Sequence, residues 1–321
     1  MKTPLGFIVT FNPSPDFCTL LDSFYAQLEH IVLVDNGSGA EVQRLFIQEA
    51  KRRASSLTVL FNETNLGVAA ALNQGFRWAI EHGYDYLLTF DQDSRPAPGM
   101  VHTMLDVFNS RSADCRLAVV GPAVEDPEVS AQAHYLRPKY SFLFEWSSCK
   151  GRVLDDVSIV ITSGSLYDLD IYQQIGPFRD DFFIDYVDSE YCLRARRYGY
   201  KIVVACEAHL YHRLGDRQKR ELLGRTHYPT FHSPLRWYYI SRNRIPMLRQ
   251  YALRFPHWFL YEVVATAYVF LRMLLFESQK LAKLQAFFLG TLDGIRGRMG
   301  KATNSVLEGI EHGRKVKPKA I

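Results

Sequence analysis

Cysteine is scarce and unpatterned in this chain. Cys18, Cys115, Cys149, Cys192 and Cys206 lie far apart in 321 residues, with no CxxC and no metal-ligand spacing. An odd, scattered set argues against a disulfide framework and for a reducing compartment. The amino terminus, MKTPLGFIVTFNPSPDF, has too short an apolar stretch and too early a proline for a signal peptide. The folded part is therefore expected in the cytoplasm. No GxGxxG follows the first apolar run, so a dinucleotide-binding Rossmann domain lacks its fingerprint. There is no internal repeat, no low-complexity tract and no uninterrupted apolar run of spanning length. Trp258–Phe276 comes nearest, and Glu262 and Arg272 interrupt it.

What is present is an ordinary folded composition, 47% hydrophobic and 22% charged. The net charge of +4 conceals two opposed halves. Residues 1–190 carry 14 Lys/Arg against 26 Asp/Glu, and residues 191–321 carry 24 against 8. An acidic first half suits an anionic ligand only where a cation intervenes. A basic second half suits a nucleic acid, a phospholipid surface or a lipid-linked diphosphate, or is simply solvated. Its aromatic residues sit in apolar runs and do not interleave with Lys and Arg, which argues against nucleic acid.

The first half alternates apolar strands with amphipathic helices. Leu5–Thr10, His30–Asp35, Leu57–Asn62 and Asp85–Asp91 have the continuous apolar character of buried parallel strands. Helical patterns run over Asp16–Gln27, Ala40–Ala54 and Val68–Glu81, the last opened by Gly67. Further on, Leu117–Gly121, Ser158–Thr162 and Lys201–Ala205 are expected strands and Asp188–Tyr198 an expected helix. The alternation predicts an α/β fold, with ligands at the carboxyl ends of the strands. Trp258–Phe276 and Lys280–Met299 predict amphipathic helices, either packed on the sheet or lying at a membrane surface.

The strand ends carry the chemistry. Asp91-Gln92-Asp93 follows the fourth strand, where two carboxylates two residues apart can address one hard divalent cation such as Mg²⁺ or Mn²⁺; a turn after a strand also uses such residues. Asp35-Asn36-Gly37-Ser38 suits a turn, or an acidic residue receiving a ribose or base hydrogen bond. Asn65-Leu66-Gly67 and Asn73 sit where small residues permit close approach of a ligand or of the sheet. Phe183–Arg194 holds Asp185, Asp188 and Glu190 within six residues. Like-charged neighbours would raise the proton affinity of one of them, and Asp188 is the chosen base; helix capping by Asp185 or Asp188 is the other account. His212, in HLYHRLGD after an expected strand, is a candidate third metal ligand.

In this order the motifs resemble family 2 glycosyltransferases, and most closely their rhamnosyltransferase branch. The carriers are Val9–Asn12, Val34–Ser38, Asn65–Gly75, DQDS from Asp91, Thr162–Ser165, FIDYVDSEYCLR from Phe183, His212–Gly215 and YYISRN from Tyr238. The resemblance runs from about residue 5 to 245, and more loosely to about 300. It implies a GT-A fold, a mostly parallel Rossmann-like sheet flanked by helices. The nucleotide-sugar domain would be 1–250, followed by a basic amphipathic helical extension, 251–321. It implies that Thr10, Phe11, Asn12, Asp35, Asn36, Asn65, Gly67, Asn73, Asp91 and Gln92 line the nucleotide-sugar pocket. Asp91, Asp93 and His212 would bind the metal. Asp188 would be the base, with Ser163, Gly164, Asp185, Glu190 and Arg242 on the acceptor side. Where many relatives carry Glu-Asp at the base motif, this chain has Val187-Asp188, so Asp185 or Glu190 would take over acceptor binding.

The resemblance further implies inverting transfer from dTDP-β-L-rhamnose to a cell-envelope glycan or glycolipid, of O-antigen, capsule or rhamnolipid type. The enzyme would be peripheral on the inner face of the cytoplasmic membrane and would bind no nucleic acid. The rivals are a UDP-sugar donor for galactofuranosyl or glucosyl transfer, and an inactive membrane-associated partner subunit. A nucleotidyltransferase is set aside, because Thr10–Pro15 is no glycine-rich basic phosphate loop.

Overall fold

A computed structural model describes residues 4–111, 116–127, 131–213, 220–222, 225–227 and 231–312. The chain divides into two compact units. The first comprises Met1–Pro138, Glu145–Asp180 and Val187–Arg213; the second comprises Lys139–Phe144, Asp181–Tyr186 and Leu214–Ile321.

The first unit is built on one large sheet. Its parallel part consists of β1 (Leu5–Thr10), β2 (Ile31–Asp35), β3 (Leu57–Phe61) and β4 (Tyr86–Asp91), in the order β4-β1-β2-β3. These are the strands expected from the apolar runs, and Phe7, Ile8 and Ile31–Val34 are fully buried, as a sheet covered on both faces requires. Helices α1 (Phe17–Tyr25), α2 (Ala40–Arg53) and α3 (Val68–Glu81) connect them. α3 lies close on the sheet because Gly75 has no side chain. A Cβ there would stand 2.1 Å from the Phe7 ring.

Beyond β4 the sheet becomes mixed. After β5 (Arg95–Pro96) and α4 (Met100–Arg111) come the long β6 (Leu117–Asp126), β7 (Ala131–Gln132) and the pair β8 (Tyr135–Pro138) and β9 (Phe144–Ser147). Then follow β10 (Val153–Leu154), β11 (Leu166–Asp168), α5 (Leu169–Ile175), α6 (Val187–Arg197) and β12 (Lys201–Tyr211). β11 inserts antiparallel between β4 and β6, and β12 runs parallel to β6 with a register shift between Ala205 and His209.

Two sequence expectations are corrected here. Ser158–Thr162 forms no strand: Ser158 N–H donates to the Leu136 carbonyl, and Val160 packs where Gly121 leaves room. The strand of this region is β11, three residues long. The cysteines are not all unpaired either. Cys149 and Cys206, 57 positions apart, form a disulfide with a Cα separation of 5.3 Å. The antiparallel pairing of Val153 with Ala205 brings them together, which sequence spacing alone does not reveal.

The second unit contains β13 (Arg220–Leu222) paired with β14 (Arg225–His227), and helices α7 (Pro234–Tyr251), α8 (Pro256–Phe276), α9 (Lys280–Arg296) and α10 (Asn304–His312). α7 starts on a Ser233 cap that accepts from the Arg236 amide, with Pro234 in the first turn. Gly290 and Gly294 let α9 reach the α7 backbone; a Cβ at either would lie 2.2 Å from the Tyr238 carbonyl or 2.4 Å from that of Arg242. α7 thus belongs with the C-terminal helices, and the units part well ahead of the expected boundary at 250.

Candidate active site

Parallel register aligns the strand ends of the first unit. Thr10 pairs with Asp35, and Val9 with Asp91. The loops leaving these ends form one polar network. The Asn36 amide donates to the Asn65 side chain at 3.3 Å and to the Gly67 carbonyl at 3.1 Å, and its oxygen accepts from Asn62 and from Leu66 N–H. Asn65 in turn receives Gly67 N–H at 2.9 Å. Asn12, with φ of 45°, donates its N–H to Ser38 and accepts from Gly39. Gln92 receives the Phe11 N–H at 2.8 Å, tying the first loop to the turn after β4.

Within this network Asp35 is exceptional. It is fully buried, and its Oδ2 accepts from Ser38 N–H at 3.3 Å. Its Oδ1 has no hydrogen-bond partner. A buried carboxylate oxygen left unpaired is costly, so the atom retains capacity to accept a hydrogen bond. By contrast, Thr10 donates its hydroxyl to the Val34 carbonyl. Asn73, expected at the pocket, is spent elsewhere: its amide holds the Phe178 carbonyl and Asp180, and its oxygen accepts from Tyr172 and Phe178 N–H.

Asp91, Asp93 and His212 converge, with one ligand atom of each lying within 4.8 Å of the others. β5 produces this: it pairs Arg95 with Tyr211 and so sets the 91–94 turn beside His212. The His212 Nε2 is 3.6 Å from Asp91, and Nδ1 is 3.4 Å from Asp93. Burial lowers the pKa of His212, but the hydrogen bond to Asp93 and the charges of Asp91, Asp93 and Asp126 outweigh it, leaving a net rise. Burial raises that of Asp93, yet its bond and charge partner His212 leaves it net lowered. Two carboxylates and an imidazole form a donor set that fits Mg²⁺ or Mn²⁺.

Behind the cluster stand two serines. Ser94 Oγ contacts His212 Nδ1 at 2.9 Å and Ser163 Oγ at 2.5 Å, and Ser163 also accepts the Asp91 N–H. Ser163, an acceptor-side residue by resemblance, is buried and bonded to the 91–94 turn. Gly164, at φ of 75°, packs against Leu210 and Pro122 and donates its N–H to the Thr89 carbonyl. Ser94 joins the cluster through His212, and its place directly after Asp93 is the one sequence signal for it.

The three clustered carboxylates do not form one group. Asp188 opens α6 and accepts from Ser189 N–H at 2.7 Å. Glu190 is buried against Arg194 at 2.9 Å, an i,i+4 pair, which removes it from acceptor binding. Asp185 lies in the second unit, paired with Arg236 at 3.0 Å; burial raises its pKa and Arg236 opposes that rise. Each of these two neighbours therefore has its own cation.

Arg242 is likewise not an acceptor-side group. It is fully buried in the second unit, where its guanidinium donates to the carbonyls of Asp181, Phe182 and Gly300 and to the Asn243 side chain. Asn243 donates to the carbonyls of Phe182, Ile184 and Asp185. Arg244 and Tyr186 both hold Glu262. YYISRN is thus a clamp on segment 181–186, in which Phe183, Asp185 and Tyr186 all have positive φ.

A nucleotide-type rim at parallel strand ends, with a carboxylate–imidazole cluster beside it, defines a sugar-transferring α/β enzyme of the GT-A type. Residues 7–176 match the model of glycosyl transferase family 2, more than half the chain, and the chain belongs to that family. It is 27% identical over 301 residues to the dTDP-rhamnosyl transferase RfbF of Shigella flexneri, covering 91% of this chain and 95% of that protein. It is 26% identical to the galactofuranosyltransferase GlfT1 of Mycolicibacterium smegmatis, over 77% of this chain and 83% of the relative. Among solved structures, S. aureus TarS 1–349 superposes with a TM-score of 0.59 at 14% identity, covering 92% of this chain and 82% of that one. GalNAc-T7, crystallised with UDP, GalNAc and Mn²⁺, gives 0.54 at 14% identity over 70% of this chain and 44% of its own. Both share the fold.

Proposed function

We propose that this glycosyltransferase moves L-rhamnose from dTDP-β-L-rhamnose to a hydroxyl of a cell-envelope glycan or glycolipid, with inversion at the anomeric carbon. The observation that carries the reaction is the Asp91–Asp93–His212 cluster at the rim that holds the unpaired Asp35 oxygen. The likeness to RfbF over nearly its whole length supports the sugar. The likeness to GlfT1 supports a second reading, a galactofuranosyl or glucosyl transfer from a UDP donor.

Asp35 and the loop network of Asn36, Asn65 and Gly67 would bind and orient the nucleoside. Asp91, Asp93 and His212 would hold a divalent cation, which supplies positive charge against the departing diphosphate. Ser94 and Ser163 would fix the ligand orientations from behind. Asp188 would accept the acceptor hydroxyl proton as the new carbon–oxygen bond forms and the bond to the diphosphate oxygen breaks. The acidic rim repels a diphosphate unless a cation is bound there, so donor binding should require one.

Calorimetric titration with dTDP and UDP, each with and without Mg²⁺ or Mn²⁺, tests this. Metal-dependent binding that prefers dTDP supports rhamnose. A UDP preference replaces the sugar and keeps the enzyme class, and metal-independent binding removes the cation from the proposal.

A further inference from the structure

The second unit carries an apolar surface that sugar transfer does not use. α8 has 21 residues; its most apolar 18-residue stretch has a mean hydropathy of 1.7, yet only 11% of that stretch is buried. Of its buried residues, Trp258, Glu262 and Met273 share one side of the helix. Val263, Val264, Tyr268, Leu271, Leu274 and Leu275 recur at three- and four-residue intervals along the opposite side, all exposed. Phe270 meets Phe287 of α9 at 4.7 Å, and α9 adds exposed Leu281, Phe288, Leu292 and Ile295. At the other end of α8, Tyr261 contacts Phe144, beside the exposed Phe142 of the 139–144 turn.

The exposed charges from Arg249 to Lys301 have one sign, while α10, packed on α9, adds the exposed Glu308. Between Arg249 and Lys301 the acidic residues are Glu262, Glu277 and Asp293, and all three are buried. Arg249, Arg254, Lys280, Arg296, Arg298 and Lys301 are exposed. An apolar strip flanked by six exposed cations, with Glu262, Glu277 and Asp293 withdrawn and Glu308 the one exposed anion among the described residues from 249 to 310, matches an anionic bilayer. A second copy of the chain laid on this face would set cation against cation.

We propose that this face docks onto anionic phospholipid, with α8 and α9 lying in the plane of the headgroup region. α8, roughly 30 Å long at 1.5 Å per residue, has the length to cross a bilayer. Crossing would strip its inner side from the protein, where Trp258 is fully buried and Glu262 is bonded to Arg244 at 2.9 Å. Only the outer side is open to lipid. This holds whichever sugar the enzyme moves.

The test is co-sedimentation of the full chain with vesicles of phosphatidylcholine alone and of phosphatidylcholine mixed with phosphatidylglycerol. The mixed vesicles should bind about ten-fold more tightly or better, and added salt should weaken them. The double variant Val264→Glu, Leu271→Glu should lose about ten-fold or more of that binding while nucleotide binding by calorimetry stays unchanged. No preference between the two vesicles would overturn the anionic partner. A wild-type dimer that the double variant dissociates would assign the face to a second copy. Resistance of the membrane-bound protein to alkaline carbonate extraction would replace docking with spanning.

Discussion

Two polar regions of this protein look alike in sequence and differ in what their atoms do. The rim of the first unit keeps capacity in reserve: Asp35 has an unpaired buried oxygen, and the side chains of Asp91 and Asp93 are about half exposed. The clamp of the second unit keeps little: Arg242 and Asn243 are fully buried and direct their donors at the backbone of 181–186 and its surroundings. A reactive site needs unsatisfied or accessible groups, and a structural one consumes them. The rim should therefore respond to substitution through binding and turnover, and the clamp through stability.

The sharpest contrast is at Asp188. Asp188→Asn should lower turnover about 1,000-fold while nucleotide affinity holds; turnover near wild type would remove Asp188 as the base. Arg242→Ala should destabilise the protein by roughly 3 kcal/mol, read by chemical denaturation, because it strips donors from several buried carbonyls. A variant as stable as wild type but unable to transfer sugar would return Arg242 to the active site and break the contrast. Asp93→Ala should do the reverse, weakening metal-dependent nucleotide binding by roughly 100-fold with little change in stability. Ser94→Ala, acting behind His212, should cost about ten-fold in metal affinity, measured by Mn²⁺ titration.

The smallest effect is a pH dependence. Because His212 has a raised pKa in the folded, metal-free protein, it contributes stability that is fully present below its unfolded value and is lost as pH rises through the folded one. Metal competes with that proton, so Mn²⁺ affinity should fall as pH drops through the same raised value. His212→Asn should flatten both curves, and an unchanged metal titration in that variant would exclude His212 as a ligand.

Much of the fold was legible because its signals are local. The four parallel strands and α3 fall within a residue or so of their apolar runs and glycine stops. β11 was not legible: three residues paired antiparallel on both sides carry no periodicity to read. VSIVIT has the β-branched residues of a strand, yet it forms no strand. At the site, residue type singled out Asp91, Asp93 and His212, and the fold brings the three together, which a lone turn after a strand does not require. Type could not separate Arg242 from a phosphate binder or Asn73 from a ligand contact. Those roles depend on which carbonyls fold onto them, from residues as far away as Gly300 and Phe178.

That last dependence sets an order of events during synthesis. Asp181 receives a hydrogen bond from Gly300 N–H, and Arg242 donates to the Gly300 carbonyl. The segment leading into Asp188 is thus locked by residues that leave the ribosome more than a hundred positions later. A nascent chain can already contain every residue of the metal cluster while 181–186 is still without its clamp. A ribosome stalled shortly before residue 300 would hold the strands of the first unit complete while segment 181–186 of the second unit still lacks its Gly300 contacts.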